Sequence, residues 1–188
     1  MNIVSEKMNA IRQQAASAGF GQLQALFAPW LQLPGGFGAT VRNRLYTHFR
    51  VFWIFLSQTL AADGACTPAV LRFLAWLKET ANQEASPNTG AYCTARKHLA
   101  LEEIETLHAD LAQRLAAQSE SCFGRRVSVV DGTSVSMPDT KENQNLWPQP
   151  SAQKAGCGFP VMRIAALFTL GSGIWRALEY SALGVSEH

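Results

Sequence analysis

Apolar residues recur along this chain first at helical spacing and later at strand spacing. Val70, Leu71, Phe73, Leu74 and Leu77 repeat every three to four positions behind Thr67 and Pro68. Those two offer an N-cap oxygen and a proline for the first helical position, and the pattern predicts a helix over 68–79. Leu101, Ile104, Leu107, Leu111 and Leu115 form a second stripe, with Glu102, Glu103, Glu105, Asp110 and Arg114 on the other faces. Its acids come early, where the helix dipole favours negative charge. The stretch 50–61 is apolar nearly all round and predicts a helix at the centre of a bundle. Leu33, Pro34, Gly35, Gly36, Phe37 and Gly38 make one break, and Ser86, Pro87, Asn88, Thr89 and Gly90 a second that leads into a short helix over 92–99.

After Gly124 the period changes to two. Val127, Val129, Val135 and Met137 alternate with Ser128, Ser134 and Ser136 until Pro138 ends the run. The stretches 161–170 and 174–180 are β-capable and are joined by Gly171, Ser172 and Gly173, a short turn suited to a hairpin. The expected class is α+β: an N-terminal helical domain over 1–121, then three antiparallel strands near 126–137, 160–170 and 174–182 in a second domain over 122–188. Three strands with no helix after them leave an open face and an exposed edge, as in the first part of a longer sheet.

Composition adds bounds. The 188 residues are 47% hydrophobic and 16% charged with a formal net charge of +2, enough apolar content for a core but not the basic excess of a protein that binds nucleic acid by charge alone. Up to Arg125 there are 11 Lys and Arg against 9 Asp and Glu, so any DNA affinity must come from local clustering. The longest apolar run, 51–56, is far below the ~20 residues of a spanning helix. The first residues carry no secretory pattern, which makes the cytoplasm the expected location and a membrane partner unexpected. Cys66, Cys93, Cys122 and Cys157 are separated by 27, 29 and 35 positions, too far for close metal or thiol-exchange pairs, and are expected as reduced, mostly buried thiols.

Asp131 is the sharpest candidate for chemistry. Alternation places it on the face of Val127, Val129 and Val135, where an uncompensated carboxylate is costly. It is either a ligand for magnesium at a strand end or, with Gly132, part of a hairpin turn. Spacing alone favours the turn, although β-type residues continue through Met137 without reversing. Asp139 reads as a cap or Asx-turn residue for the segment 141–144. Arg42, Arg44 and Arg50 beside Tyr46 and His48 form a modest basic cluster with aromatic interleaving. Lys154 and Arg163 are candidate phosphate contacts. Trp147, in a polar loop, is the aromatic best placed to meet a base or sugar. Trp53 and Trp76 read as core, and His98 and His108 lack partners at metal spacing.

Val129, Val130, Asp131, Gly132, Thr133, Ser134, Val135, Ser136, Met137, Pro138, Asp139 and Thr140, followed by Glu142-Asn143-Gln144, Pro148-Gln149-Pro150, Gln153-Lys154 and Gly156-Cys157-Gly158-Phe159-Pro160, resemble the first catalytic block of bacterial DDE transposases of the insertion sequence four family. Gly90, Ala91, Tyr92, Cys93, Thr94, Ala95 and Arg96 resemble the helical N-terminal region of the same family. The resemblance covers roughly 40–188.

It implies an incomplete ribonuclease-H-like core, in which two aspartates and a glutamate hold two Mg2+ ions. One ion activates water or a 3′ hydroxyl, and the other stabilises the leaving oxygen of a phosphodiester. Asp131 matches the first aspartate. The other two carboxylates lie downstream in the family, beyond His188, and Glu187 falls in the loop after the third strand. The chain alone is therefore expected to be inactive in cleavage and strand transfer. The implied partner is DNA at transposon ends, with Arg42, Arg44, Arg50, Arg96 and Lys97 in the region that contributes to end recognition. A homodimer or full-length transposase is a further implied partner, in a bacterial cytoplasm and on the nucleoid when DNA is bound. Three functions stay open: part of a transposase, a shortened DNA-binding or inhibitory form, and a small α+β domain with a structural Asp131.

Overall fold

The computed structural model describes residues 3–31, 45–118, 124–125, 127–154 and 156–183. The predicted break at Leu33 to Gly38, together with Arg42, Arg44, Cys122 and Glu187, lies outside the described residues. Among the described residues are seven helices and one three-stranded antiparallel sheet, an α+β chain. It divides into two compact units, Met1–Leu107 and His108–His188.

In the first unit α1 spans Ile3–Ser17, α2 Phe20–Phe27, α3 His48–Leu60, α4 Cys66–Ala81 and α5 Gly90–Arg96. Thr47 caps α3, its side chain accepting from the Arg50 backbone N–H at 3.3 Å. Val51, Phe52, Trp53 and Ile54 are all buried, which four consecutive helical positions achieve only when a helix is covered on most sides. Against them pack Phe20 of α2, Ala69, Val70, Phe73 and Leu77 of α4, and Tyr92 of α5. Each fully buried large apolar side chain of this set contributes about 1.5–3 kcal/mol. Trp53 is core as expected, and Trp76 packs half-buried at its margin. At Gly21 an added Cβ would lie 3.0 Å from the Trp76 indole nitrogen. The glycine is what lets α2 approach α4 so closely.

α4 begins earlier than predicted. Ala65 is its N-cap, without a side-chain bond, while Asp63 Oδ1 takes the Ala65 N–H at 3.1 Å. Thr67 and Pro68 thus lie inside the first turn rather than at its threshold. Proline is tolerated there because first-turn N–H groups have no intrahelical acceptor. Asn82, at φ 49, ends the helix in the left-handed conformation, its N–H reaching Lys78 O at 3.0 Å.

Helix α6, Leu101–Gln118, runs through the division between the units, whereas the sequence placed the boundary after it. From His108 onward its residues belong with the second unit: the His108 ring stands edge-on to Trp175 at 5.2 Å. That unit adds β1 Ser128–Ser136, α7 Lys141–Leu146, β2 Val161–Thr169 and β3 Trp175–Ala182, in sheet order β1-β2-β3. Register pairs Asp131 with Ala166 and Ala166 with Leu178. The hairpin between β2 and β3 closes with Thr169 N–H on Ile174 O at 2.8 Å and Gly173, at φ 68, donating to Thr169 O at 2.8 Å. All of β1 is exposed, and β1 is an edge strand.

Candidate functional site

Asp131 sits near the middle of β1, so Asp131-Gly132 makes no turn; the strand continues through both residues. The expectation of a carboxylate on a buried face is likewise overturned. Asp131 is exposed, as are Val129 and Val135 on the same face. With water at hand the carboxylate needs no protein partner, and it bonds locally, Oδ1 accepting from Gly132 N–H at 2.8 Å. Glu179 pairs with Ala165 and hence lines up with Gly132, one position along from the row of Asp131, Ala166 and Leu178. Alternation puts the two carboxylates on different faces. No three His, Cys, Asp or Glu side chains gather as a metal site among the described residues. The described residues do not complete a two-magnesium centre: one exposed carboxylate can bridge two ions but leaves the rest of both shells without protein ligands.

The loop from β1 to β2 is organised by amide side chains. Thr140 caps α7, accepting from Asn143 N–H at 3.2 Å, so Asp139 is not the cap; its Oδ1 instead takes Gln144 Nε2 at 2.9 Å. Gln144 Nε2 also donates to Gly158 O at 3.0 Å, and its Oε1 accepts from Gln149 N–H at 3.2 Å. Gln149 Nε2 donates to Gln153 O at 3.2 Å and Lys154 O at 2.8 Å. Its Oε1 accepts from Gly156 N–H at 2.9 Å and Gly158 N–H at 3.2 Å. Met137 N–H to Pro160 O at 2.8 Å closes the loop where β1 ends and β2 begins. Gln144, Gln149, Gly156 and Gly158, all within the stretch that bears the resemblance, thus hold this loop in shape.

Trp147 ends α7, half-buried, with its ring edge-on to Tyr180 at 6.5 Å. Lys154 is exposed in the loop. Arg163 is half-buried on β2, beside Val130, Gly132, Ala165, Glu179 and Ser181 in an open depression of about 550 Å³ that Asp131 and Tyr180 also line.

In the first unit the structure brings Arg50 and Arg96 inward. Arg50 donates to Leu45 O at 3.0 Å and lies 5.9 Å over the Phe73 ring. Arg96 donates to Gln58 Oε1 at 2.9 Å and sits over Phe55 and Tyr92 at 5.8 and 5.7 Å. Lys97 is exposed. Sequence reasoning missed the residue that gathers this cluster, Gln58. Its Oε1 also accepts from Tyr92 Oη at 2.7 Å, and its Nε2 donates to Gly64 O at 2.7 Å and to Cys66 Sγ at 3.4 Å. The available signal was an amide at 51, 54, 58 spacing on the most apolar helix, because a buried amide must find partners. Burial pushes the Tyr92 hydroxyl up to about 12 while Arg96 pulls against it. Cys66 and Cys93 are half-buried and Cys157 exposed, against the expectation of mostly buried thiols.

No family model, curated protein or solved structure matches this chain. Among the described residues no helix is long and apolar enough to cross a membrane.

Proposed function

We propose that this chain is part of a DDE-type transposase, with Asp131 as the first of its metal-binding carboxylates and its three strands as the opening of a ribonuclease-H-like core. One observation carries the reading. In the stretch that bears the resemblance, strand β1 displays an exposed Asp131 and a glutamine-braced loop returns the chain to β2. The antiparallel order β1-β2-β3 is compatible with such a core. Magnesium, when bound in a completed site, would supply charge stabilisation and an activated oxygen nucleophile. Asp131 would be one ligand.

The absence of a three-carboxylate cluster among the described residues favours, as a second reading, a chain that binds DNA without cutting it. The two readings share the DNA partner and differ in whether further carboxylates join Asp131. The test is fluorescence anisotropy with duplex DNA across a salt series, alongside plasmid nicking assays with magnesium. The expected outcome is binding that weakens with salt and is unchanged in Asp131→Asn, with no nicking by the chain alone. Absence of binding at low salt removes both readings. Nicking abolished by Asp131→Asn would overturn the incompleteness of the site and leave the transposase reading standing.

A further inference from the structure

We propose that Cys66 and Cys93 form a peroxide-responsive dithiol, closing to a reversible disulfide that ties the start of α4 to α5. The two sulfurs lie 3.9 Å apart although 27 positions separate them in sequence. A disulfide needs about 2 Å between sulfurs, so closure asks for a displacement of about 2 Å. Rotation about each Cα–Cβ bond moves a sulfur over that range. Both thiols are partly open to solvent, and neither is engaged in another bridge.

The surroundings distinguish the two sulfurs. Three donors meet at Cys66 Sγ: Gln58 Nε2 at 3.4 Å, Arg96 Nη1 at 3.8 Å and the Cys93 thiol at 3.9 Å. Cys66 is also the first residue of α4, where backbone N–H groups lack intrahelical acceptors. It is the accepting sulfur. Cys93 is the donor, and burial pushes its thiol up, with the neighbouring Cys66 acting in the same sense. A hydroperoxide, the oxidant class the step requires, therefore reacts first at Cys66. The Cys66 sulfur attacks one peroxide oxygen, the O–O bond breaks, and with one proton the other oxygen leaves as water or an alcohol, giving a sulfenic acid. Cys93 sulfur then attacks Cys66 sulfur. The S–S bond forms, the S–O bond breaks, and the Cys93 proton leaves with the hydroxyl as a second water. Two thiols lose two protons and two electrons, and one hydroperoxide is reduced to water and an alcohol, or to two waters.

The pair lies in the helical unit, apart from the sheet that carries Asp131, and its peptide map is read without DNA, so its outcome is separate from that of the binding test. Closure draws Cys66 Sγ away from Gln58 and Arg96, the two groups that also hold Tyr92.

The experiment uses the whole chain. It is treated with hydrogen peroxide, remaining thiols are alkylated, and non-reduced tryptic peptides are mapped by mass spectrometry. Cys66 and Cys93 fall in separate peptides, 51–72 and 79–96. The expected product is these two peptides joined, about 2 Da lighter than their sum and separated again by dithiothreitol. In Cys93→Ser, Cys66 is expected to stall as a sulfenic acid captured by dimedone. Cys66 and Cys93 both remaining alkylatable at peroxide levels that oxidise Cys157 would overturn the proposal, as would dominant bridges to Cys122 or Cys157. The wild-type map decides the matter even where the serine variant folds poorly.

Discussion

Tyr92 Oη and Gln58 Oε1 are joined by a 2.7 Å hydrogen bond inside the helical unit, across 34 positions of sequence. Tyr92 is fully buried and Gln58 nearly so. The bond couples α5 to α3 at a place where neither group has water as an alternative, so its loss is costly. Tyr92→Phe keeps the ring and its packing and deletes only the donor. Arg96 still satisfies Gln58 Oε1, so the expected cost is about 1–2 kcal/mol, read as a fall in the midpoint of urea unfolding. An unchanged midpoint would mean that the bond contributes nothing net.

The same hydroxyl gives an alkaline pH dependence. Burial raises Tyr92 from 10.0 to about 12, against a smaller opposing pull from Arg96. Between about pH 10 and 12 the folded chain keeps a proton that the unfolded chain has lost, so stability is present below 10 and declines as pH rises through 12. The total is about 2–3 kcal/mol. Tyr46 is shifted in the same direction by burial, with the same sign. Stability measured in urea from about pH 9 upward should therefore fall less steeply in Tyr92→Phe than in wild type, without becoming flat. Parallel curves would show that Tyr92 ionises as freely folded as unfolded.

Close approach at Gly21 supplies a steric prediction. A Cβ there would lie 3.0 and 3.1 Å from two atoms of the Trp76 indole. Gly21→Ala gains up to about 1 kcal/mol of helix propensity and loses a similar amount in displacing the indole. Gly21→Val adds two methyl groups and no propensity comparable to alanine's, so it should destabilise by about 1–3 kcal/mol. Valine unfolding at the same denaturant concentration as alanine would show that α2 can move away without loss.

How much of this was legible in the sequence depends on the range of the forces involved. The helices over α3, α4 and α6 and all three strands follow from apolar period, because burial of one face is a local pattern. The start of α4 was misplaced because Thr67-Pro68 is compatible with both the cap and the first turn. Asp131 was assigned to a buried face because alternation reports which side a residue takes and not what covers that side; on β1 both sides are exposed. Gln144 and Gln149 carried no periodic signal, and Gln58 only its place on the buried face of α3. Their role is to satisfy distant backbone and side-chain groups, which only the folded chain brings within 3.5 Å.

Gln149 provides a direct test of the braced loop. Its amide makes four bonds, two as donor and two as acceptor, to backbone atoms between Gln153 and Gly158. Gln149→Ala removes all four and should expose the Gly156 and Gly158 amides to hydrogen exchange, with cleavage after Lys154 by trypsin accelerated. Gln149→Glu retains acceptors for the two glycine amides while turning a carboxylate toward Gln153 O and Lys154 O, so it should fall between alanine and wild type. Because the bonds are largely solvent-facing, global stability should drop by only about 1–2 kcal/mol. Unchanged exchange at Gly156 in the alanine variant would show that the backbone holds itself.

Arg96 and Lys97 are neighbours in sequence with different tasks in the fold, and a pair of alanine variants separates packing from DNA contact. Arg96 places its guanidinium over two rings and on Gln58 Oε1, whereas Lys97 is exposed. Arg96→Ala should therefore cost about 2–3 kcal/mol of stability, from the lost cation–π contacts and the charged hydrogen bond. Lys97→Ala should leave the unfolding midpoint within about 0.5 kcal/mol of wild type. If Lys97 meets a phosphate, its removal lowers the slope of log affinity against log salt by about 1 and weakens binding alike for all duplex sequences. Both variants are to be measured by salt titration at a temperature where Arg96→Ala remains folded. A salt slope identical to wild type in Lys97→Ala would remove this position from the DNA interface. A reduced slope in folded Arg96→Ala would show instead that the half-buried guanidinium leaves its place over Tyr92 when DNA binds.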